Sequence, residues 1–310
     1  MVNCKVCEKE FENDRQLHGH LKAHGLRMVE YYQKYSPRYD KHDGKIIKFK
    51  NKEQYLTTEF NTRTNLRMWL KSISENEAKE YCKNVLTKRK EKRNLIYTPS
   101  QVELRTVISP PMQYYNELFE DYYRLCSNLG FENKYGRFSD IVSGCEYNKP
   151  EYKIFVDTRE RIPLKFERGI EVRKLDFGDY AFSSKIATCN CCIERKMLSD
   201  FIGTMSGGYE RFIKEIERAQ DADAYLVVLV EDSLTHAMSF PYLPHISKKI
   251  KATPEFIFHR VRNLIQKYPH IQFLFVNGRV EASRVIERIF TCGCAYKKVD
   301  LQYAYDLKIL

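Results

Sequence analysis

A continuous apolar run, AYLVVLVE at residues 224–231, constrains the fold more than any other feature of the chain. Such a run is typical of a parallel strand that is buried on both faces of a sheet. The segments that follow alternate in pattern: TPEFIFHRVRNLIQKY predicts a helix, IQFLFVN (271–277) a strand and VEASRVIERIF (280–290) a helix. Alternating strands and helices build one sheet that is covered on both faces. We therefore predict an α/β domain over residues 150–310.

Shorter segments before this run complete the predicted domain. KIFVD (153–157) predicts a strand, and EVRKLDFGDYAF (171–182) predicts one or two more, with a tight turn at Gly178. IATCNCCIERK (186–196) predicts a further strand. A helix that is interrupted at a pair of glycines follows over residues 199–220.

Acidic residues gather on these strand ends and turns. They are Asp157, Glu160, Asp179, Glu194 and Asp200. Carboxylates suit a hard cation such as Mg²⁺ or Mn²⁺, which neutralises a phosphodiester and activates water near neutral pH. Lys196 follows Glu194 by two residues, so both side chains share one face of the predicted strand. We expect Asp179 and Glu194 to be the primary metal ligands, Asp157 a third ligand and Lys196 a catalytic partner.

The remaining charged residues of this segment have predicted supporting roles. Arg195 points away from the face that carries its two neighbours, which favours a structural ion pair. Glu160 and Asp200 are expected to orient the Arg-Lys pair or to stabilise the start of the following helix. Arg159 and Arg211 are candidate contacts to phosphate groups.

These motifs resemble the nuclease domain of the XPF family of structure-specific DNA endonucleases. The matching motifs are DxRE at 157–160, GD at 178–179, ERK at 194–196 and the Asp at 200, in the family's order. The resemblance covers about residues 152–290. It implies the restriction-endonuclease-like fold, with a central mixed sheet flanked by helices. It also implies Mg²⁺-dependent cleavage of branched, flap or junction DNA during repair, recombination or replication.

The same resemblance implies a homodimer or a heterodimer through the nuclease domain. Eukaryotic members usually add tandem helix-hairpin-helix modules, and residues 290–310 show no such pattern, which leaves substrate preference and dimerisation open. A sequence-directed homing or restriction-type nuclease and a catalytically silent DNA-binding scaffold remain alternatives. The presence of all the expected carboxylates and of the lysine favours an active enzyme.

The beginning of the chain carries a separate motif, Cys4-x2-Cys7 followed by His20-x3-His24. Two cysteines on a hairpin and two histidines on one helical face can converge on a tetrahedral Zn²⁺. A unit of ~25 residues has too small a core to fold without such a metal. Residues 1–26 therefore look like a ββα Cys2His2 zinc finger.

What this finger contacts is open. If its helix starts near Asp14, the positions that usually face bases are Asn13, Gln16 and Gly19. Asn and Gln can pair with adenine, but Gly offers no such contact. A finger that grips only the DNA backbone, or that docks on the next domain, is the alternative. His18 is expected at the surface and not as a fifth ligand.

Residues 27–149 are predicted to form a basic, mainly helical region that binds DNA. Residues 112–131 read as one amphipathic helix, and Trp69 is expected in a core more than on a base-stacking surface. Five of the six residues at 88–93 are basic side chains, Lys or Arg. The candidate DNA contacts are Lys88, Arg89, Lys90, Lys92 and Arg93. A solvated helix end is the alternative.

The composition agrees with a DNA partner. Lys plus Arg is 52 and Asp plus Glu is 41, a net charge of +11, with 22 Tyr and 18 Phe able to stack on bases. The start MVNCKVCEKE lacks the apolar stretch of a signal peptide, and no run reaches ~18 apolar residues, so no membrane association is expected. These features predict an intracellular, reducing compartment, the cytoplasm or the nucleus. The Lys, Asn and Tyr bias is also compatible with a virus-encoded protein.

The cysteines outside the finger invite comparison with a second metal site. They include Cys189, Cys191, Cys192, Cys292 and Cys294. Adjacent residues of a strand point to opposite faces, so Cys191 and Cys192 cannot ligate one ion without distortion. We expect structural thiols.

Overall fold

The computed structural model describes residues 1–142, 152–184, 190–244, 246–247 and 250–310. Its helices, in chain order, are α1 (Asp14–His20), α2 (Met28–Tyr35), α3 (Lys52–Thr57), α4 (Arg63–Ser72), α5 (Glu75–Arg93), α6 (Gln101–Arg105), α7 (Met112–Phe119), α8 (Tyr122–Asn128), α9 (Phe138–Val142), α10 (Leu198–Met205), α11 (Tyr209–Asp221), α12 (Leu234–Met238), α13 (Pro254–Lys267), α14 (Arg279–Thr291) and α15 (Leu301–Asp306). Its strands are β1 (Val2–Asn3), β2 (Glu10–Phe11), β3 (Tyr152–Asp157), β4 (Ile170–Arg173), β5 (Tyr180–Ser184), β6 (Cys191–Lys196), β7 (Tyr225–Val230) and β8 (Ile271–Phe275).

The chain divides into two compact units. Unit 1 comprises Met1–Asn94 and Val107–Phe119, and unit 2 comprises Leu95–Thr106 and Glu120–Leu310. This division differs from the boundaries expected after residues 26 and 149. The short segment Leu95–Thr106 belongs to unit 2, and within that unit Gln101 N donates a hydrogen bond of 2.7 Å to Asp300 Oδ2. Such long-range pairing has no local signature in the sequence.

The six-stranded sheet of unit 2 is mixed, with the order β4-β3-β5-β6-β7-β8. β5 is antiparallel to both of its neighbours, β3 and β6, and the remaining pairs are parallel. The predicted parallel strand at residues 224–231 is confirmed as β7, which lies between β6 and β8. The pairing brings the ends of β3, β5 and β6 together, and these ends carry the DxRE, GD and ERK motifs.

Both faces of this sheet are covered, as predicted. Along β7, Leu226 and Val228 point into one core together with Phe201 and Phe258 from helices α10 and α13. Val227, the residue between them, points into the other core with side chains of α14. A strand with two apolar faces follows directly from burial on both sides.

The helix predicted over residues 112–131 is instead two helices. α7 ends at Phe119 and α8 begins at Tyr122. Between them Glu120 adopts a left-handed conformation with φ of 66°. The Asp121 side chain then caps α8 by accepting hydrogen bonds from the backbone N–H groups of Tyr123 and Arg124. Apolar residues keep a helical spacing across this break, so the sequence pattern does not reveal it.

The strand predicted from residue 186 is seen as β6 from Cys191 onward, and Cys189 lies outside the described residues. Among the helices of the described ranges, none is both long enough and apolar enough to cross a membrane.

Candidate functional site

Gly178 determines where the Asp179 carboxylate lies. Its φ is +68°, and a Cβ at this position would lie 2.8 Å from the carbonyl oxygen of Ile193. Glycine is therefore required both by the left-handed backbone and by the close approach of β6. The next residue hydrogen-bonds directly to that strand: Asp179 N donates to Ile193 O (2.8 Å), and Asp179 Oδ2 accepts from Arg195 N (2.8 Å). The turn thus fixes one carboxylate against the strand that carries the ERK motif.

Glu194 and Lys196 share one face of β6, as their spacing predicts. Lys196 Nζ lies 2.8 Å from Glu194 Oε1, and the two side chains are only 12% and 14% exposed. The ring of Phe212 on α11 lies under the ammonium, with its centroid 5.5 Å from Nζ. The lysine is therefore held in a partly buried position beside a carboxylate.

The donor set of these residues fits a divalent cation. Burial raises the pKa of Asp179 to about 7, and the negative charge of Glu194 contributes further to the rise. Two neighbouring carboxylates repel each other unless a cation lies between them. Carboxylate oxygens are the ligands that Mg²⁺ prefers, and Mn²⁺ shares this preference. Asp179 and Glu194 thus form a suitable pair of ligands.

Asp157 has a different environment. It ends β3 and is 1% exposed. Asp157 Oδ1 accepts hydrogen bonds from Arg159 N (2.8 Å) and Nε (2.6 Å), while Oδ2 accepts one from Leu175 N (2.7 Å). Burial opposes ionisation, but these hydrogen bonds outweigh it and lower the pKa of Asp157 to about 2. Both oxygens of Asp157 already accept hydrogen bonds from protein donors. This favours a structural role, in which Asp157 holds the loop after β3, and disfavours the metal-ligand role that the sequence predicts.

We expect Asp157→Asn to destabilise unit 2 at neutral pH and to reduce its sensitivity to acid. The folded-state pKa of Asp157 is depressed, so its ionisation stabilises the fold above the unfolded pKa of about 3.9 and this contribution is lost as pH falls towards 2. The stability difference between the wild type and the variant should therefore narrow from pH 5 to pH 3. Hydrogen exchange in peptides from β3 to β8 measures it. Asp176→Asn, on an exposed residue nearby, is the control, and a difference that widens towards pH 3 would contradict the assignment.

Arg195 points away from Lys196 and enters a buried network of ion pairs. Its Nη2 lies 2.9 Å from each carboxylate oxygen of Glu160. Its Nη1 lies 3.0 Å from Glu231 Oε2, and the exposed fractions of the two acids are 7% and 9%. Glu160 therefore pairs with the arginine of the ERK motif and not with its lysine. Glu231 was missed by the sequence analysis, although its position directly after the apolar run was a usable signal.

The other predicted site residues lie at the surface. Asp200 is exposed in the first turn of α10 and forms no ion pair with Arg195 or Lys196. This placement fits a carboxylate that stabilises the start of a helix. Arg159 keeps a 69% exposed side chain despite its ion pair with Asp157, and Arg211 is exposed on α11. Both arginines are accessible to a phosphate.

The thiols of unit 2 behave as core residues where they are described. Cys191 packs in one core of the sheet and Cys192 against the other, so the two side chains face opposite ways. Cys292 is half-buried. Among the described residues, the finger holds the one group of three or more Cys, His, Asp or Glu side chains whose ligand atoms lie close enough together for a single metal ion. The side chain of Cys294 lies outside the description.

In unit 1 the four predicted finger ligands converge. One ligand atom from each of Cys4, Cys7, His20 and His24 lies within 4.8 Å of the others. Burial opposes formation of the Cys4 thiolate, but hydrogen bonds from the backbone N–H groups of Val6 and Cys7 outweigh it and lower the thiol pKa. Two sulfurs and two imidazoles are a donor set that Zn²⁺ prefers.

The finger is packed against α2 and is not an isolated unit. Tyr31 is 2% exposed in a shared core with Cys4, Leu17 and Leu21. Its hydroxyl accepts a hydrogen bond of 2.7 Å from Lys5 N. His18, expected at the surface, is half-buried with its Nε2 3.2 Å from the hydroxyl of the next tyrosine along α2. These contacts favour the docking alternative for the finger.

The positions expected to face bases are partly engaged within the finger. Asn13 caps α1, and its Oδ1 accepts a hydrogen bond of 3.1 Å from Gln16 N. The Gln16 side chain in turn bonds the backbone and the carboxylate of Glu12. Gly19 is exposed. Base readout by Asn13 or Gln16 would require these local hydrogen bonds to break.

The basic run forms the last turns of α5, where cations complement the helix dipole. Arg89 is 6% exposed, which disfavours the direct DNA contact predicted for this residue. Lys88 and Lys92 are exposed, and Lys88 pairs with Glu59 at 2.9 Å. The helical period turns Arg89 inward, so the run is not a uniform DNA-binding surface.

Trp69 packs among aromatic side chains, which agrees with its predicted place in a core. Its ring centroid lies 5.4 Å from that of Phe60 and 5.0 Å from that of Tyr81. Trp69 is the chain's single tryptophan and belongs to unit 1. Its fluorescence therefore reports on unit 1 and not on the nuclease-like sheet.

The fold and the site of unit 2 define an α/β domain with paired carboxylates and a lysine on adjacent strands, an arrangement suited to metal-assisted hydrolysis. The family model described as the ERCC4 domain matches residues 156–289. This segment, which is less than half of the chain, is therefore similar to the ERCC4 domain.

None of the curated proteins matches the chain. Two solved structures of XPF from Aeropyrum pernix, one of them in complex with DNA, are each 20% identical with a TM-score of 0.34. The first alignment covers 45% of this chain and 62% of that one, and the second covers 44% and 58%. This chain thus spans less than two thirds of the length of either structure.

Proposed function

We propose that unit 2 is a divalent-metal-dependent DNA endonuclease that hydrolyses phosphodiester bonds in branched, flap or junction DNA. One observation carries the proposal. Asp179, directly before β5, comes together with Glu194 and Lys196 of β6 within the segment that matches the ERCC4 domain. The alternative is that these residues are ordinary surface charges at strand ends. That alternative does not explain why Gly178, a partly buried lysine and two neighbouring carboxylates occur at the same place.

Asp179 and Glu194 would hold Mg²⁺ or Mn²⁺, which, when bound, would neutralise charge on the phosphodiester and lower the pKa of a water so that hydroxide is available as the nucleophile near neutral pH. The Arg195 backbone N–H orients the Asp179 carboxylate. Lys196 places its ammonium where it can hold a water or stabilise negative charge on the phosphate. The exposed guanidinium groups of Arg159 and Arg211 would bind neighbouring phosphates of the DNA.

Cleavage of end-labelled fork, flap, four-way junction and plain duplex DNA, with and without Mg²⁺, tests this proposal. We expect metal-dependent cleavage of the branched substrates. Cleavage of a plain duplex at one sequence would support a homing or restriction-type nuclease instead. DNA binding without cleavage in either metal would support the silent scaffold. The dimer implied by the XPF resemblance is tested separately by sedimentation of the full chain.

We also propose that the finger of unit 1 binds one Zn²⁺ through Cys4, Cys7, His20 and His24. The convergence of these four ligand atoms supports the proposal. The metal would join the hairpin to α1 and the turn that follows. Because the finger shares a core with α2, we propose that its structural role extends beyond residues 1–26.

We expect Cys4→Ser and His20→Asn each to lower the zinc content from about one ion per chain to near zero, because three remaining ligands hold Zn²⁺ far more weakly. Elemental analysis after dialysis against a weak chelator measures this. His18→Asn is the matched control, since that histidine lies on the same helix and contacts a tyrosine instead. Equal zinc loss in the control, or full zinc content in Cys4→Ser, would contradict the ligand set.

A further inference from the structure

Arg279, the first residue of α14, joins that helix to the loop that follows β3. Its Nη2 donates hydrogen bonds to the backbone carbonyl oxygens of Ile162 and Pro163, the second of them at 2.8 Å. Its Nη1 lies 3.8 Å from Glu231 Oε1. The loop and the helix are distant in the sequence, so these contacts exist only in the folded unit 2.

The helix itself does not explain an arginine at its first position. The start of a helix carries partial positive charge, so a cation there is unfavourable and a carboxylate is preferred. The contacts of Arg279 offset this cost, because two carbonyl oxygens of the loop and one carboxylate at the end of β7 face the guanidinium. The position of Arg279 is therefore explained by the segments it joins.

The loop at residues 158–163 is held from two sides. On one side, Arg195 Nη2 from β6 lies 2.9 Å from each carboxylate oxygen of Glu160. On the other side, Arg279 binds the two loop carbonyls. The Glu231 carboxylate lies within ion-pair distance of both guanidinium groups. Four charges of alternating sign thus connect α14 with the DxRE motif.

This loop carries a candidate contact to DNA. The side chain of Arg159 is 69% exposed, and its Nε donates a hydrogen bond of 2.6 Å to Asp157 Oδ1. The next residue, Glu160, is the one that the buried network holds. A loop that is already ordered binds a phosphate more tightly, because no conformational entropy is lost on binding. Whatever fixes this loop therefore affects the affinity of Arg159 for DNA.

We propose that Arg279 is a positioning residue for DNA binding, which fixes the loop after β3 so that Arg159 meets a phosphate in a prepared orientation. The inference rests on the proposed nuclease function, because it concerns the substrate of the same site. The alternative is that the Arg279 side chain, itself 39% exposed, binds a phosphate directly.

A double-mutant cycle between Arg279→Ala and Arg159→Ala separates these two roles. Fluorescence anisotropy measures the Kd of the full chain for labelled fork DNA in buffer without Mg²⁺ or Mn²⁺. We expect each single substitution to raise Kd about tenfold, the size of one hydrogen-bonded charge contact. In the Arg159→Ala background, Arg279→Ala should change Kd by less than about twofold, because the residue that it positions is absent. Arg284→Ala, on an exposed arginine of the same helix, is the matched control for lost charge.

Cleavage kinetics and hydrogen exchange give two further readouts. In Mg²⁺, Arg279→Ala should raise KM for the fork about tenfold and leave kcat within about threefold of the wild type, because Arg279 contacts no reacting group. Exchange should accelerate in a peptide covering residues 158–166, where backbone N–H groups donate hydrogen bonds within the loop. Peptides from β6 and β7 should exchange as in the wild type.

The outcomes that would overturn the proposal are distinguishable. An equally large rise in Kd with and without Arg159 would identify Arg279 as a direct phosphate contact. Faster exchange over the whole sheet would identify a general structural role, and an unchanged Kd, or an equal rise in Arg284→Ala, would remove the role in DNA binding. If the wild type neither binds nor cleaves the fork DNA, the proposed nuclease function fails and the role of Arg279 fails with it.

Discussion

Replacement of Asp179 by Asn should abolish metal-dependent DNA cleavage. We expect kcat to fall by about 10³-fold or more, which corresponds to the loss of roughly 4 kcal/mol of transition-state stabilisation when a metal ligand is removed. The substitution preserves the size of the side chain and the hydrogen bond that Asp179 Oδ2 accepts from Arg195 N. It removes a negative charge that Glu194 repels, so the fold itself should not be weakened. The measurement is single-turnover cleavage of labelled branched DNA in Mg²⁺ and in Mn²⁺.

Companion variants make this result specific. Lys196→Ala should lower kcat by about 10²- to 10⁴-fold, the range expected for a group that assists proton transfer. Asp176→Asn is the control, because it changes an exposed acid three residues before Asp179. Hydrogen exchange over β5 and β6 verifies that each variant is folded. Wild-type cleavage rates in folded Asp179→Asn and Lys196→Ala would reject the site.

Replacement of Arg195 by Ala should cause the largest loss of stability. Arg195 lies between the buried carboxylates of Glu160 and Glu231. Its removal leaves two uncompensated buried anions, and breaking a buried pair from one side costs about 3–5 kcal/mol. The loss should appear in unit 2 alone, because both partner carboxylates belong to that unit. Urea-dependent hydrogen exchange of the β-strand peptides measures it, whereas Trp69 fluorescence would report on unit 1.

The cause of that loss can be separated from the loss of packing. In an Arg195→Leu background, Glu160→Gln together with Glu231→Gln should recover part of the stability, because no buried charge remains unpaired. Arg211→Ala, on an exposed arginine of the same unit, should change stability by less than about 0.5 kcal/mol. If Arg195→Ala has an equally small effect, or if neutralising both acids gives no recovery, the ion-pair network is not what stabilises this edge of the sheet.

Much of the site could be predicted because it depends on local geometry. The alternation of side chains along a strand placed Glu194 and Lys196 on one face and Arg195 on the other, and the structure shows these directions. Gly178 was predicted at a turn, and its positive φ requires glycine at that position. The finger motif likewise predicted ligands that the structure brings together.

Other features depended on partners that are distant in the chain. Asp157 appeared equivalent to the other acids until its hydrogen bonds to Arg159 and Leu175 were seen. Arg89 was indistinguishable from its basic neighbours, although only its side chain is turned into the core. An aspartate or an arginine can be buried or exposed, paired or unpaired. Which of these applies depends on segments that lie outside the local sequence pattern.

The sequence by itself determined the alternating strands and helices, the order of the motifs and the spacing of the finger ligands. These properties follow from backbone periodicity and from the conformational freedom of glycine, which act over a few residues. Only the tertiary structure decided which hydrogen bonds the carboxylates accept: Asp157 accepts them from Arg159 and Leu175, whereas Asp179 accepts one from Arg195 N. These contacts require β3, β5 and β6 to meet, because hydrogen bonding and burial are properties of the assembled fold.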